Sequence, residues 1–367
     1  MTGLCYCTNV HPAEDVAGIL RQLDTHAVPV RERLGHDRLG LGLWLAAGAA
    51  AELAADPAAL RRLRAELDAR GLAVLTLNAF PYGGFHRQVV KHTVYRPDWT
   101  DPARARYTAD CAHVLAGLLP DDADGGSLST LPLGWRTPWS PAADRAAEAA
   151  LRWTAGELRK ASARAGRPLR LAVEPEPGCV LDTVADAVRW LAPRVDPEVV
   201  GICLDTAHLA VSFADPEQAV AEIGRAGLAV VKIQASAALH VDDPRDPRAR
   251  RLLAGYAEPR YLHQVRELGG RGRVLAADDL PQALQELPGR GPWRVHFHIP
   301  LHAAPARPLR STTEVLRRAV AAVREPAVVE VETYTWQVLP HGADPVDGIA
   351  AELAWAQREL PAEGRAA

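Results

Sequence analysis

Four short segments set acids and imidazoles at the ends of apolar runs. They are Glu174 and Glu176 in LAVEPEPG, Asp205 and His208 in GICLDTAHLAV, His296 and His298 in VHFHIP, and Glu330 and Glu332 in VVEVETY. Side chains of an extended strand alternate between faces, so each i, i+2 pair shares one face. A buried carboxylate without a partner is costly, and several facing one axis repel unless a cation holds them. Mixed carboxylate and imidazole donors suit Mn²⁺, Mg²⁺, Co²⁺ or Zn²⁺ better than a thiolate site would. Each group also has a plainer role when taken singly. Glu174 can pair with a cation, EPEPG can be a turn, and Asp205 can cap the next helix. His296 and His298 can be satisfied core histidines, and His302 a solvated loop residue. The convergence of three acidic strand ends, one D-x-x-H and one H-x-H favours a metal site over these separate roles.

The elements that must position these groups follow from hydrophobic periodicity. Nine runs read as strands: Leu4 to Asn9, Leu39 to Leu45, Leu72 to Asn78, Ser127 to Leu133, Leu169 to Glu174, Val199 to Asp205, Leu228 to Gln234, Trp293 to Ile299 and Val328 to Thr333. Amphipathic segments separate most of them. In DPAALRRLRAELDARG, Asp56 can cap the helix, Pro57 suits its first turn and Gly71 can end it. Strands alternating with helices at this spacing predict βαβ units and a parallel sheet. Nearly every strand carries polar residues at its C-terminal end, which a closed (β/α)8 TIM barrel explains better than a doubly wound sheet. No glycine-rich phosphate loop follows the first strand, which weakens a dinucleotide fold further. Nine runs exceed eight strands. We therefore expect a single α/β TIM-barrel domain over residues 1–367, with a hairpin-containing insertion after strand seven over residues 236–293. Trp293 to Ile299 then belongs to that excursion and Val328 to Thr333 is strand eight. The alternative is a domain boundary near Pro288 to Pro292.

With 367 residues, 48% of them hydrophobic, the chain can bury a core of this size. A formal charge of −3 without a long basic run disfavours nucleic acid and anionic membranes as partners. No apolar stretch reaches the roughly 18 residues of a membrane span, and no secretory leader pattern opens the chain, so a cytoplasmic protein is expected. Five cysteines, an odd number without framework spacing, argue against a disulfide scaffold.

On the motifs above, the chain resembles the xylose isomerase-like TIM barrels. That superfamily comprises sugar isomerases and epimerases together with endonuclease IV-type enzymes. Its pattern has a Glu closing strand five, Asp-x-x-His after strand six, a His on strand seven and a Glu closing strand eight, around one to three divalent metals. Glu174 matches the first position, Asp205 and His208 the second, and Glu332, ahead of Glu330, the last. Strand seven departs from the pattern, because VVKIQAS offers Gln234 instead of His. A Gln carbonyl oxygen is a harder donor than imidazole, which shifts the preference toward Mn²⁺ or Mg²⁺. His296 and His298 are alternatives for the ligand pair that follows strand seven in the endonuclease branch. YCTNVHP, NAFPYGGFH, STLPLGW and VETYTW most resemble the EboE-type proteins, described as metabolite-traffic proteins.

The resemblance implies metal ligands at Glu174, Asp205, Gln234, His298 and Glu332. It also implies a metal-dependent isomerase or epimerase acting on a sugar, polyol or cyclitol through an enediolate-type proton transfer. Glu174 and Glu332 would then be opposed bases, His208 would orient substrate or move a proton, and Lys232 would neutralise a carboxylate or polarise a carbonyl. Candidate substrate contacts are His11, Asn78, Glu176, His86, Trp135, His296, Glu330 and Trp336. Phe80, Tyr82, Phe85 and Trp139 could add to an apolar collar, and GFHRQVVKHTVYRPDW reads as a lid-like loop. Two other readings stay open: an endonuclease IV-like phosphoesterase, and a non-catalytic carrier of a small metabolite. Assembly into a homo-oligomer also stays open.

Overall fold

The computed structural model describes residues 3–324, 327–340, 342 and 344–360. Seven strands come first: β1 (Leu4–Cys7), β2 (Leu39–Trp44), β3 (Leu72–Asn78), β4 (Gly126–Thr130), β5 (Leu169–Val173), β6 (Val200–Asp205) and β7 (Val230–Ala235). Five short strands follow: β8 (Leu239–Val241), β9 (Val265–Leu268), β10 (Val274–Ala277), β11 (Trp293–Val295) and β12 (Arg310–Ser311). The last is β13 (Val328–Val331). Strands β1 to β7 close with β13 into one parallel barrel, in which β13 lies between β7 and β1. Helices connect the barrel strands, so the barrel is buried on both faces, and β2, β3, β6 and β7 are buried at every position.

The helix Pro57–Ala69 shows how local chemistry sets element ends. Asp56 accepts hydrogen bonds from the backbone N–H groups of Ala58 and Ala59, and Gly71 leaves the helix with a left-handed φ of +65°. In β2, LGLGLW, the glycines keep the barrel interior open. A Cβ on Gly40 would lie 2.6 Å from the Leu4 carbonyl oxygen, and one on Gly42 would lie 1.3 Å from Glu330 Oε1.

Between β7 and β13 the chain builds a second, antiparallel sheet in the order β10-β9-β11-β8-β12. Strands β9 and β10 form a hairpin. Trp293–Val295 pairs with β8 and β9, not with the barrel, and the sheet continues to Ser311, past residue 293. Glu267 anchors this sheet: its buried carboxylate accepts from the backbone N–H groups of Gly289, Arg290 and Gly291 and from the Trp293 indole. The loop after β3 reaches over to the same sheet. Val90 and Lys91 both donate to the Arg260 carbonyl, and Lys91 Nζ lies 2.5 Å from Asp279. Among the described residues no helix is long and apolar enough to cross a membrane.

Candidate metal centre and substrate cavity

Asp205 is the last residue of β6 and also caps the helix Thr206–Val211. Its Oδ1 accepts from the His208 backbone N–H and from the Ser236 hydroxyl, both at 2.8 Å. Its Oδ2 is buried and has no hydrogen-bond partner. Glu174, the residue after β5, leaves Oε2 in the same condition. His298, from the segment that follows β11, places Nδ1 2.8 Å from the Glu332 carbonyl oxygen. That oxygen only accepts, so Nδ1 carries the proton and the Nε2 lone pair is free, buried and without a partner. Each such orphan costs roughly 1–3 kcal/mol.

These atoms converge. The ligand atoms of Asp205, His298 and Glu332 lie within 4.8 Å of one another, as do those of Glu174, Asp205 and His208, and those of His208, His296 and His298. The three groups share members and form one continuous donor set. Burial raises Glu174 well above the usual carboxylate range, and Glu332 and Asp205 raise it further. Burial also pushes Glu332 up to about 8, with Asp205 and Glu330 adding repulsion. Buried carboxylates with orphaned oxygens beside an imidazole lone pair fit a divalent cation.

The histidine pair strengthens that fit. His208 Nδ1 lies 3.0 Å from the Pro175 carbonyl oxygen and His296 Nδ1 lies 2.6 Å from Gln264 Oε1, so both Nδ1 atoms donate. The Gln264 amide is oriented by its own donations to the Pro177 carbonyl and the Tyr95 hydroxyl. Two Nε2 lone pairs then face each other at 3.1 Å. Only a shared proton or a cation relieves that contact. Burial pushes His296 well below the usual imidazole range, with His208 and His298 adding to the effect, which favours the cation. Burial likewise pushes His298 down to about 4.

Above the donors opens a cavity with about 540 Å³ of empty space, adjoining solvent included. Asn78, Glu174, Glu176, His208, His296, His298 and Glu332 line it, as the sequence pattern anticipates for a site. Other expected residues lie elsewhere. Lys232 and Glu330 pair with each other inside the barrel at 2.6 Å, and Lys232 also donates to Ser129. His11 stacks on His26, and His86 bonds the Asn9 carbonyl. Trp135 packs on Tyr95, and Trp336 donates to Glu352. Tyr82 packs on Tyr107 and Trp139 turns its indole to Asp144, whereas Phe80 and Phe85 do line the cavity. Gln234 turns its amide nitrogen to Glu332 Oε2, while its oxygen accepts from the Cys203 thiol. It thus holds Glu332 in place together with Asn9 and Asn78, which both donate to the other carboxylate oxygen.

Several residues of the site carry no local signal. Tyr95 donates to Glu176 at 2.6 Å, Gln264 connects Glu176 to His296, and Ser236 orients Asp205. Tyr261, Leu262 and Tyr334 complete the cavity wall. The one available clue was the length of the loop holding Tyr95, since long loops in compact domains are usually functional.

The comparisons agree with this architecture. Residues 40–319 match the family model of the xylose isomerase-like TIM barrel. No curated protein matches the chain. Among solved structures, a xylose isomerase-like TIM barrel protein from Mycobacterium smegmatis in complex with magnesium shares 15% identity, at a TM-score of 0.52, over 97% of this chain and 96% of that one. D-allulose 3-epimerase from Methylomonas sp. in complex with D-allulose shares 13%, at a TM-score of 0.54, with the same coverage. An L-ribulose 3-epimerase shares 13%, at 0.52, over 97% and 94%. At these identities the structural likeness speaks to the fold. The family match spans most of the chain and the barrel closes as that family requires: the protein belongs to the xylose isomerase-like TIM barrel family.

Proposed function

We propose that the protein is a divalent-metal-dependent isomerase or epimerase acting on a small polyhydroxylated substrate that carries a carbonyl group, a sugar or the keto form of a polyol or cyclitol. One observation carries this reading: Glu174 Oε2, Asp205 Oδ2 and His298 Nε2 are buried acceptors without partners, and they belong to one donor set at the base of a cavity. Glu174, Asp205, His298 and Glu332 would hold the ion, with Mn²⁺ or Mg²⁺ preferred for a carboxylate-rich set. When bound, the ion supplies Lewis acidity toward adjacent substrate oxygens. Burial raises both carboxyl groups, Glu174 and Glu332, above the usual carboxylate range, Glu332 to about 8, which favours their taking up and returning a proton. They would exchange a proton at a carbon beside a carbonyl. His208 lines the cavity with its Nδ1 fixed by Pro175, and would orient a substrate hydroxyl. The magnesium and D-allulose named for two structures of the same fold support this assignment by analogy.

The test is metal analysis of the purified protein, followed by solvent deuterium incorporation into ketoses and keto-cyclitols. Bound metal with exchange at the carbon next to the carbonyl is the expected result. A tightly held ligand without exchange would instead support the carrier reading of the metabolite-traffic resemblance. A phosphoester hydrolase is the second reading, because His208, His296 and His298 form a cluster of three imidazoles. Metal-dependent cleavage of a phosphodiester by the same preparation would establish it.

A further inference from the structure

The cavity has two chemically distinct halves. Its base carries the carboxylates, imidazoles and amides of the strand ends. Its wall is apolar, built from Phe80, Phe85, Val94, Tyr261, Leu262 and Tyr334. These come from three separate places: the loop after β3, the excursion between β7 and β13, and the turn after β13. Phe85, Tyr261 and Tyr334 pack ring against ring, with centroids 4.9 to 5.7 Å apart, so the wall is a continuous aromatic surface. The Tyr261 hydroxyl donates to the Phe85 carbonyl and the Tyr95 hydroxyl to Glu176, which leaves the Tyr334 hydroxyl as the one polar end of the wall not engaged among the described residues.

A free sugar can lay one C–H face on an aromatic ring, but hydroxyls at its edges, desolvated against a wall of three packed rings, would lose water partners without gaining others. A phosphorylated sugar needs a cation or clustered N–H donors. Among the described residues that line the cavity, the one Lys or Arg is Lys91, already paired with Asp279, while Glu174, Glu176 and Glu332 face the same space. The lining therefore offers a phosphate group no free side-chain cation.

Resting on the reading of this cavity as a substrate site, we propose that the substrate is an uncharged sugar or polyol bearing an apolar substituent, with its hydroxyls at the donor set and the substituent against the Phe85–Tyr261–Tyr334 wall.

Calorimetric titration of the full-length, Mn²⁺-loaded protein tests this, using D-fructose, its 1-O- and 6-O-benzyl ethers, and its 1- and 6-phosphates. Burying a benzyl group predicts that at least one ether binds about 30-fold or more tightly than fructose, and that neither phosphate binds more tightly than fructose. The substitutions Phe85→Ser and Tyr261→Ser should each cut the ether's advantage by about tenfold. Ethers that bind no better than fructose, or not at all, overturn the proposal, as does a phosphate that outbinds both ethers. Binding is read independently of turnover. A missing deuterium exchange would therefore count against the isomerase reading, while the affinity ranking alone decides the substrate class.

Discussion

Lys232 Nζ lies 2.6 Å from Glu330 Oε2, and both side chains are wholly enclosed by the barrel. Burial opposes the lysine's charge, but Glu330 together with Cys203 and Cys7 offsets this and raises its pKa above the ordinary lysine value. Neither Glu330 oxygen has another hydrogen-bond partner. Removing one charge leaves the other stranded, at a cost of about 3–5 kcal/mol. Lys232→Met and Glu330→Gln should each lower stability by that amount, and the double variant should recover much of the loss. Urea unfolding of all four proteins checks the cycle, and additive losses would show that the pair is not coupled.

The same carboxylate occupies the space that Gly42 leaves free. A Cβ there would fall 1.3 Å from Glu330 Oε1, so Gly42→Ala must displace Glu330 and break the Lys232 contact. Thermal unfolding should fall by several degrees, with an effect of about 2–4 kcal/mol. Combining Gly42→Ala with Glu330→Ala and Lys232→Met should restore part of that stability; no restoration would place the strain elsewhere.

Metal affinity should depend on the donors in a graded way. His298→Ala and Asp205→Asn each remove a proposed ligand atom and should weaken Mn²⁺ binding by at least about 100-fold. Ser236→Ala keeps every proposed ligand atom but removes the hydroxyl that orients Asp205, and should weaken it by about 10-fold. Calorimetric titration with Mn²⁺ measures the series. Wild-type affinity in the His298 variant would remove that residue from the site.

Glu352 supplies a pH prediction away from the donor set. It accepts from the Leu301 backbone N–H, the Thr333 hydroxyl and the Trp336 indole, yet burial lifts its pKa to about 7. A carboxyl group raised in the folded state binds protons there that the unfolded chain has released. Between its unfolded value of about 4.3 and about 7, rising pH therefore lowers stability through this group. Glu352→Gln removes the titration. Its melting temperature relative to wild type should climb from pH 4.5 to pH 7.5, whereas a constant offset would show that Glu352 does not titrate in this window.

Much of the barrel follows from local patterning. Val, Leu and Ile runs followed by capped amphipathic helices repeat along the chain, and short-range periodicity is what such patterning encodes. The acids at the strand ends were legible for the same reason, since i, i+2 residues must share a face. That rule places both Glu330 and Glu332 on the interior face but says nothing about depth. Three-dimensional closure separates them: Glu330 sits lower, opposite the Gly42 gap and beside Lys232, while Glu332 reaches the donor set and the amides of Asn9, Asn78 and Gln234.

The fourth quadrant of the site was decided in the same way. Gln234 stands where the family pattern puts an imidazole, and its amide is engaged by Glu332 and Cys203. The imidazole arrives instead on His298, 64 positions further along, carried by a sheet that Glu267 pins together. Sequence by itself determined the element types, the barrel and the residues able to bind a cation, because each is a short-range property. Which donors meet, which carboxylate is neutralised by a lysine and which aromatics wall the cavity were decided only by tertiary structure, since those contacts join distant segments whose pairing depends on closure of the whole barrel.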